Sequence, residues 1–375
     1  MAGKVDFELE VCRLARTTPD TLTITFALPP SCRAAFDYRA GQFLTIEVEI
    51  EGTTYRRAYS LHGSPALADP LQITVKRVLG GRVSCWLHER LREGDRLRVV
   101  PPRGRFCPDI DPMHARTYLC FAAGSGITPV FSILKTVLTL ERHSVVFLFY
   151  GCRDESNVLF EAELQEWAAR HPQRFTLITT LSRPKSTGMF SWLKGAEPWK
   201  GLVGRIDGNR VREWITAYPP PLQTVRYLIC GPGTMIDEVR ATLLSLDVPD
   251  RDILFERYGA APDGAAPDGV VPEGAAGGGS KEATVTARLR ADLACGEAAE
   301  VTVAPGTTLL RALLDAGYEV PYSCEAGVCG TCKARLVSGR AEMKRSMALS
   351  EKEREAGAIL TCQGVAASEH IRIKY

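Results

Sequence analysis

Thr117-Tyr118-Leu119-Cys120-Phe121-Ala122-Ala123-Gly124-Ser125-Gly126-Ile127-Thr128-Pro129 passes from an apolar run, through a turn holding two glycines, into a segment with helical spacing over residues 129–140. A strand that is apolar on both faces and leads at once into a helix belongs between two helical layers, as in a parallel sheet. The texture repeats downstream. Residues 144–150 read as a strand before a helix over 159–170, 175–181 as another strand, and 225–230 as a strand before a helix over 234–246. An α/β doubly wound parallel-sheet domain is therefore expected over residues 111–258.

On the N-terminal side the period changes. Residues 22–26, 43–48, 71–75 and 97–100 alternate apolar and polar side chains between Gly and Pro turns, and 83–91 reads as one helix after Gly80-Gly81. Such alternation predicts antiparallel strands, here a small β-barrel domain over residues 1–110. On the C-terminal side, Ala-Pro-Asp-Gly occurs at 261–264 and again at 266–269, before Gly277-Gly278-Gly279-Ser280. Residues 259–281 are expected to be a flexible linker with a span of about 25 Å. A small third domain is expected over 282–375.

The 375 residues suit two to three domains. With 45% hydrophobic and 24% charged residues the composition is that of a globular protein. The net charge of +2 gives no field for nucleic acid. Apolar runs stay well short of the ~20 residues that span a bilayer, and the first eight residues mix charge with apolar side chains, so no membrane insertion and a cytoplasmic location are expected. In a reducing cytosol the 12 cysteines point to metal or redox chemistry rather than disulfides.

Four of them carry a pattern. Cys324, Cys329 and Cys332 stand as C-x4-C-x2-C, and Cys362 follows after a long interval. This is the plant-type spacing for a [2Fe–2S] cluster, whose ferric pair is compensated by thiolate sulfur. Gly327 and Gly330 let backbone N–H groups turn toward the cluster. Structural zinc is the competing reading, although it usually pairs two short Cys/His halves and here the second half is Cys362 alone. Cys295 lies outside the spacing. Cys12, Cys32, Cys85, Cys107, Cys120, Cys152 and Cys230 are scattered, mostly as small buried side chains.

Two ligand signals lie upstream. Arg57-Ala58-Tyr59-Ser60 follows the Gly41-Gln42-Phe43 turn, and Gly80-Gly81-Arg82-Val83-Ser84 opens a helix. An aromatic ring can stack on a flat cofactor, a hydroxyl can bond its edge, and Arg beside a helix N-terminus can hold a pyrophosphate. Gly124-Ser125-Gly126 and Cys230-Gly231-Pro232-Gly233 both follow strands and enter helices, at the carboxyl edge where such sheets take ligands.

In this order, Arg57-x-Tyr59-Ser60, Gly80-Gly81-x-x-Ser84, Gly124-x-Gly126-Ile127-Thr128-Pro129, Tyr150-Gly151-x-Arg153 and Cys230-Gly231-Pro232 resemble the ferredoxin–NADP reductase superfamily. With the C-terminal cysteines, nearly the whole chain resembles the reductase components of bacterial oxygenases, the phenylacetyl-CoA epoxidase type above all. The resemblance implies a β-grasp ferredoxin domain at the C-terminus and FAD in the barrel, although related reductases use FMN. Tyr59 would stack on the isoalloxazine, Ser60 would approach N5, and Arg57 with Gly80, Gly81 and Ser84 would bind the phosphates. Thr128 and Cys230, with Gly231, would lie near the nicotinamide and Gly124 and Gly126 under the NAD(P)H phosphates. Glu256 and Tyr258 match the segment that ends related reductases beside the flavin. Here that segment runs on into the expected linker. Ser60, Cys230 and Glu256 are thus the catalytic candidates.

Arg183, after the strand ending at Leu181, could pair with a 2′-phosphate, favouring NADPH over NADH. The expected function is an oxidoreductase passing electrons from NAD(P)H through FAD and a [2Fe–2S] cluster to an oxygenase, a di-iron protein first. A Rieske or sterol-type oxygenase, a desaturase, a hybrid-cluster protein or a non-catalytic redox-sensing role are the alternatives. Residues 282–375 hold 12 basic and 12 acidic side chains, a balance of 12 − 12 = 0, so steering to the acceptor is expected to be local.

Overall fold

The computed structural model describes residues 7–185, 199–257, 285–293, 298–318, 320–322, 325, 327, 330–346 and 348–375. The chain divides into two compact units, residues 5–258 and residues 259–375 with 1–4.

The first unit begins with β1 (Phe7–Thr18), β2 (Thr21–Phe26), β3 (Phe43–Ile50), β4 (Thr53–Ser60), β5 (Gln72–Lys76), α1 (Arg82–Arg90) and β6 (Arg96–Arg103). The strands order as β4-β3-β6-β1-β2-β5, and every pair is antiparallel. A further bridge from Leu61 to Ile73 links the end of β4 to β5 and draws the sheet toward the expected barrel. Leu9, Val11, Ile24, Leu44, Ile46, Ile73 and Val99 fill its interior, and α1 adds Val83 and Leu87. Two strands lay beyond the sequence expectation. β1 carries a charged outer face, and β4 is an edge strand with Tyr55, Arg57 and Tyr59 all half-buried. β6 also runs through Pro101-Pro102, which a register shift against β3 accommodates, since a missing N–H is tolerated at a bulge.

Next come β7 (Thr117–Ala123), α2 (Ile127–Leu140), β8 (Val145–Cys152), α3 (Glu161–Arg170), β9 (Phe175–Leu181), β10 (Leu202–Val203), α4 (Gly208–Ala217), β11 (Val225–Gly231), α5 (Gly233–Ser245) and β12 (Ile253–Arg257). The order β10-β9-β8-β7-β11-β12 is parallel throughout, as expected of a doubly wound sheet. α2 and α3 pack on one face against Tyr118, Cys120, Leu148 and Tyr150. α4 and α5 cover the other, where Phe149 stacks on Trp214 at 4.6 Å.

α2 also joins this sheet to the barrel. Lys135 Nζ lies 2.5 Å from the Asp69 carboxylate, Ser132 donates to Gly63 O, and the Ser64 and Thr136 hydroxyls are 2.8 Å apart. Beside them His62 is buried, its ring 4.8 Å from that of Phe160. Burial, with Lys135 adding to it, pushes its pKa down to about 3, so the seam holds a neutral imidazole at ordinary pH.

The second unit contains β13 (Ala287–Asp292), β14 (Ala298–Val303), α6 (Leu309–Asp315), β15 (Lys333–Ser338), β16 (Ala341–Met343), α7 (Glu351–Glu355), β17 (Ala358–Leu360), β18 (Gly364–Ala366) and β19 (His370–Lys374). Its main sheet is ordered β14-β13-β19-β15-β17, with β13 and β19 parallel and the other neighbours antiparallel. Leu309, Leu310 and Leu313 of α6 pack on its core, the α+β arrangement expected of a β-grasp domain. The expected linker, residues 259–281, lies outside the described residues. Among those described, no helix is long and apolar enough to cross a membrane.

Candidate functional site

β4 alternates its side chains across the sheet, so Tyr55, Arg57 and Tyr59 share one face at intervals of about 6.7 Å. The Arg57 guanidinium carbon lies 5.9 Å from the Tyr55 ring centre and that of Arg82 lies 5.8 Å from it, which brings Arg57 to the turn that opens α1. In that turn Gly80 has φ +74° and Gly81 is the N-cap with no side-chain capping bond. Ser84 pins the loop: its hydroxyl accepts from Val78 N at 3.1 Å, and a Cβ on Gly81 would stand 2.6 Å from that oxygen. The first N–H groups of α1 and the Arg57 guanidinium, near the same Tyr55 ring as Arg82, are the kinds of group that hold a pyrophosphate. Tyr59, one strand position before Ser60, lies on the same face as Arg57 and Tyr55. These residues fit a flavin dinucleotide.

On the nucleotide side, Gly124 takes φ +54° and Gly126 is the N-cap of α2, again without a side-chain cap. A Cβ on Gly126 would lie 2.2 Å from Cys230 O and 2.8 Å from Gly231 N, so only glycine lets the turn press against the end of β11. Thr128 closes the turn by donating to Ser125 O at 2.9 Å, and Cys230 is wholly buried. Gly124, Gly126, Thr128, Cys230 and Gly231 thus meet at the carboxyl edge of β7 and β11, the place for a dinucleotide in this topology.

Lys76, the last residue of β5, was not singled out by the sequence, yet its Nζ would be 3.8 Å from a Cβ on Gly124. The only signal was a cation closing an alternating strand. Arg183 follows β9 on the same edge, exposed, its N–H bonded to Arg153 O at 2.7 Å. Nearby, burial raises the Asp154 carboxyl, but hydrogen bonds from Ser156, Asn157, Arg153 and Lys185 outweigh it and hold the group well below its usual range. The Asp154 carboxylate is thus fully engaged by its own neighbours.

The two halves also meet at the strand ends. Ser60 Oγ, from β4, donates to Glu256 Oε2, from β12, at 3.2 Å. Glu256 is half-buried by surface, and burial of its carboxyl pushes its pKa up to about 8 despite the opposing Ser60 bond. Cys107 lies in the same setting, its thiol pushed up to about 11 by burial. A carboxyl that stays protonated near neutrality beside a buried hydroxyl is the perturbed group characteristic of a functional site. Tyr258 lies outside the described residues.

In the second unit Cys332 and Cys362 place their sulfurs 3.2 Å apart in a buried setting. Thiolates sharing one tetrahedral ion with ~2.3 Å bonds stand about 3.8 Å apart, so a small adjustment fits this pair to a metal centre. Gly327 (φ +74°) and Gly330 (φ +70°) have the left-handed backbone expected of a loop wrapped around such a centre. Gln363 donates to Glu325 O at 2.8 Å and ties that loop to Cys362, a brace for which the sequence offered no signal. Thr361 donates to Cys332 O at 3.1 Å and meets the Tyr375 hydroxyl at 2.8 Å. Cys324 and Cys329 lie outside the described residues. Of the scattered cysteines, Cys32, Cys120, Cys152 and Cys230 are buried and Cys12 is exposed.

Known proteins share this layout. The family model described as an oxidoreductase FAD-binding domain matches residues 8–107, an oxidoreductase NAD-binding domain matches 121–241, and a 2Fe-2S iron-sulfur cluster binding domain matches 293–367. The ferredoxin reductase component of 3-ketosteroid-9-alpha-monooxygenase from Rhodococcus rhodochrous is 33% identical, over 98% of this chain and 96% of its own. A 1,2-phenylacetyl-CoA epoxidase component from Escherichia coli is 31% identical, over 98% of this chain and 97% of its own. The solved structure of phthalate dioxygenase reductase shares the fold, with a TM-score of 0.58 at 24% identity over 99% of this chain and 98% of that one.

Proposed function

We propose a specific role from one premise: this chain belongs to the family of ferredoxin-reductase-type reductase components of oxygenases. It is a flavin-dependent oxidoreductase with FAD-binding, NAD-binding and 2Fe-2S domains, passing electrons from NAD(P)H to an oxygenase. When bound, FAD takes an electron pair as hydride and gives electrons up singly, and a [2Fe–2S] cluster carries them one at a time.

The Ser60–Glu256 contact carries the assignment of roles, because it joins the flavin strand to the nucleotide sheet. Tyr59 supports the flavin ring, Arg57 and the Gly80-Gly81 turn hold its phosphates, and Ser60 presents its hydroxyl to the N5 edge. Glu256, protonated at neutral pH, keeps that edge free of a negative charge that would oppose an arriving electron pair. Gly124, Gly126 and Thr128 seat the dinucleotide, and Cys230 backs the nicotinamide. Cys324, Cys329, Cys332 and Cys362 ligate the cluster. Domain limits are 1–110, 111–258 and 282–375, with 259–281 as a tether that makes delivery to the cluster intramolecular.

NADPH is the donor in this reading. Arg183 offers an exposed guanidinium at the edge that receives the ribose, while Asp154, the carboxylate that could instead accept from a 2′-hydroxyl, is held by its own neighbours. The acceptor is a cytoplasmic di-iron oxygenase of the epoxidase kind; a sterol-type oxygenase is the second reading, favoured by the 33% identity to the ketosteroid monooxygenase reductase. The test is reconstitution with each candidate oxygenase. Wild type is expected to support turnover with one of them, whereas Cys362→Ser is expected to reduce a dye through the flavin yet fail to drive the oxygenase. Full oxygenase turnover by Cys362→Ser would refute the cluster's place in the path.

A further inference from the structure

We propose that the Gln363 side-chain amide donates to the sulfur of Cys362 and raises the reduction potential of the cluster that this cysteine helps to hold. The inference rests on the cluster reading above and goes beyond it, to a residue outside the cysteine pattern.

The backbone that carries this amide is tied on both sides. Gln363 N–H donates to Leu360 O at 2.9 Å, and Gln363 O accepts from Lys344 N at 3.1 Å. The side chain then runs across Gly327, where a Cβ would stand 2.8 Å from Gln363 Cγ, so a glycine at φ +74° leaves that path open. At the far end, Nε2 lies 2.8 Å from Glu325 O, 3.0 Å from Cys362 O and 3.8 Å from Cys362 Sγ. One amide nitrogen thus faces the residue after Cys324 and both polar atoms of Cys362.

These acceptors fix which way the amide points. A flipped amide would set Oε1 against two carbonyl oxygens, so the nitrogen faces them. One N–H serves Glu325 O, and the other lies between Cys362 O and the sulfur as a three-centre bond. A thiol sulfur is a weak acceptor, but as a thiolate ligand the same sulfur is an anion and draws the shared N–H. Reduction adds one more negative charge to a cluster. A donor held at a ligand sulfur therefore favours the reduced state and raises the potential.

The experiment uses the full chain with its cluster, poised at a series of potentials and read by low-temperature paramagnetic resonance. Gln363→Leu keeps most of the bulk and removes the donor, and it is expected to lower the potential by about 59 mV, tenfold in a one-electron equilibrium. Gln363→Glu adds a negative charge as well and is expected to lower it at least as far. An unchanged potential in either variant, with cluster content full or reduced, would overturn the inference and leave Gln363 a brace alone. Should neither variant assemble a cluster, wild type isotopically labelled at the side-chain amide nitrogen of glutamine supplies the test, because Gln363 is the one glutamine in residues 259–375. Magnetic coupling of that nitrogen to the reduced cluster is expected, and its absence would overturn the inference. A wild type with no signal of a reduced [2Fe–2S] centre would instead overturn the cluster reading on which it stands.

Discussion

The turn after β7 and the strand β4 are the two proposed dinucleotide sites, and they would recognise by different means. The turn uses backbone: Gly124 at positive φ, Gly126 pressed against Cys230 O, and the uncapped start of α2. β4 uses side chains on an edge strand, Tyr55, Arg57, Tyr59 and Ser60, whose opposite neighbours on β3 are core residues such as Leu44 and Ile46. A backbone site tolerates no added atom, whereas a side-chain site can be retuned one group at a time.

The largest effect expected from this difference is at Gly126. Gly126→Val places its Cβ 2.2 Å from Cys230 O, far inside van der Waals contact, so β11 and the turn must part. NADPH-driven flavin reduction should fall by at least about 100-fold, equivalent to ~3 kcal/mol, while flavin content is retained. Stopped-flow reduction with flavin quantified in the same sample checks this. Loss of flavin alongside the rate would mean that the two sites are not separable.

At the outer edge of the proposed nucleotide site the expected determinant is again a side chain. Arg183→Ala should raise the KM for NADPH by about 10-fold and leave that for NADH unchanged, because a charge-assisted bond to a 2′-phosphate is worth ~1.4 kcal/mol or more. Equal changes with both donors would remove Arg183 from that role.

Glu256→Gln should have the smallest effect at pH 7, since glutamine copies the neutral acid. The distinction appears above pH 8. Wild-type flavin reduction should slow as Glu256 loses its proton through about pH 8, and the variant should be flat over the same range. Stability follows the same sign. The folded pKa is raised from 4.5 to about 8, so the contribution of this group is complete below about pH 4.5 and is lost as pH rises through about 8. Thermal unfolding of the variant should lack that decline. A wild type with flat rate and stability profiles would contradict the neutral carboxyl.

The same contrast explains what could be read from the residues alone. The parallel strands were legible because burial on both faces makes them continuously apolar, and β9 coincides with the expected residues 175–181. β4 was not among the alternating runs: Thr53-Thr54-Tyr55-Arg56-Arg57 has polar residues on both faces, which an edge strand tolerates. α4 was missed for a related reason. Its turn Asp207-Gly208-Asn209-Arg210 looks like a loop until the Asp207 side chain is seen to accept from Arg210 N as a helix cap. Glycine spacing marked the turns at Gly80 and Gly124 and cysteine spacing marked the 2Fe-2S domain, since those follow from local chain geometry. The pairing of Ser60 with Glu256, 196 positions apart, and the approach of Lys76 to Gly124 depend on how the two sheets pack, which no local pattern encodes.

The central claim is that one chain carries electrons from a nicotinamide through a flavin to a [2Fe–2S] cluster. Anaerobic addition of NADPH to the purified protein, followed by absorption and low-temperature paramagnetic resonance, tests it most directly. The account predicts bleaching of flavin and cluster bands together with the signal of a reduced [2Fe–2S] centre. A flavin that bleaches while the cluster stays oxidised, or a protein that carries zinc in place of iron, would contradict it.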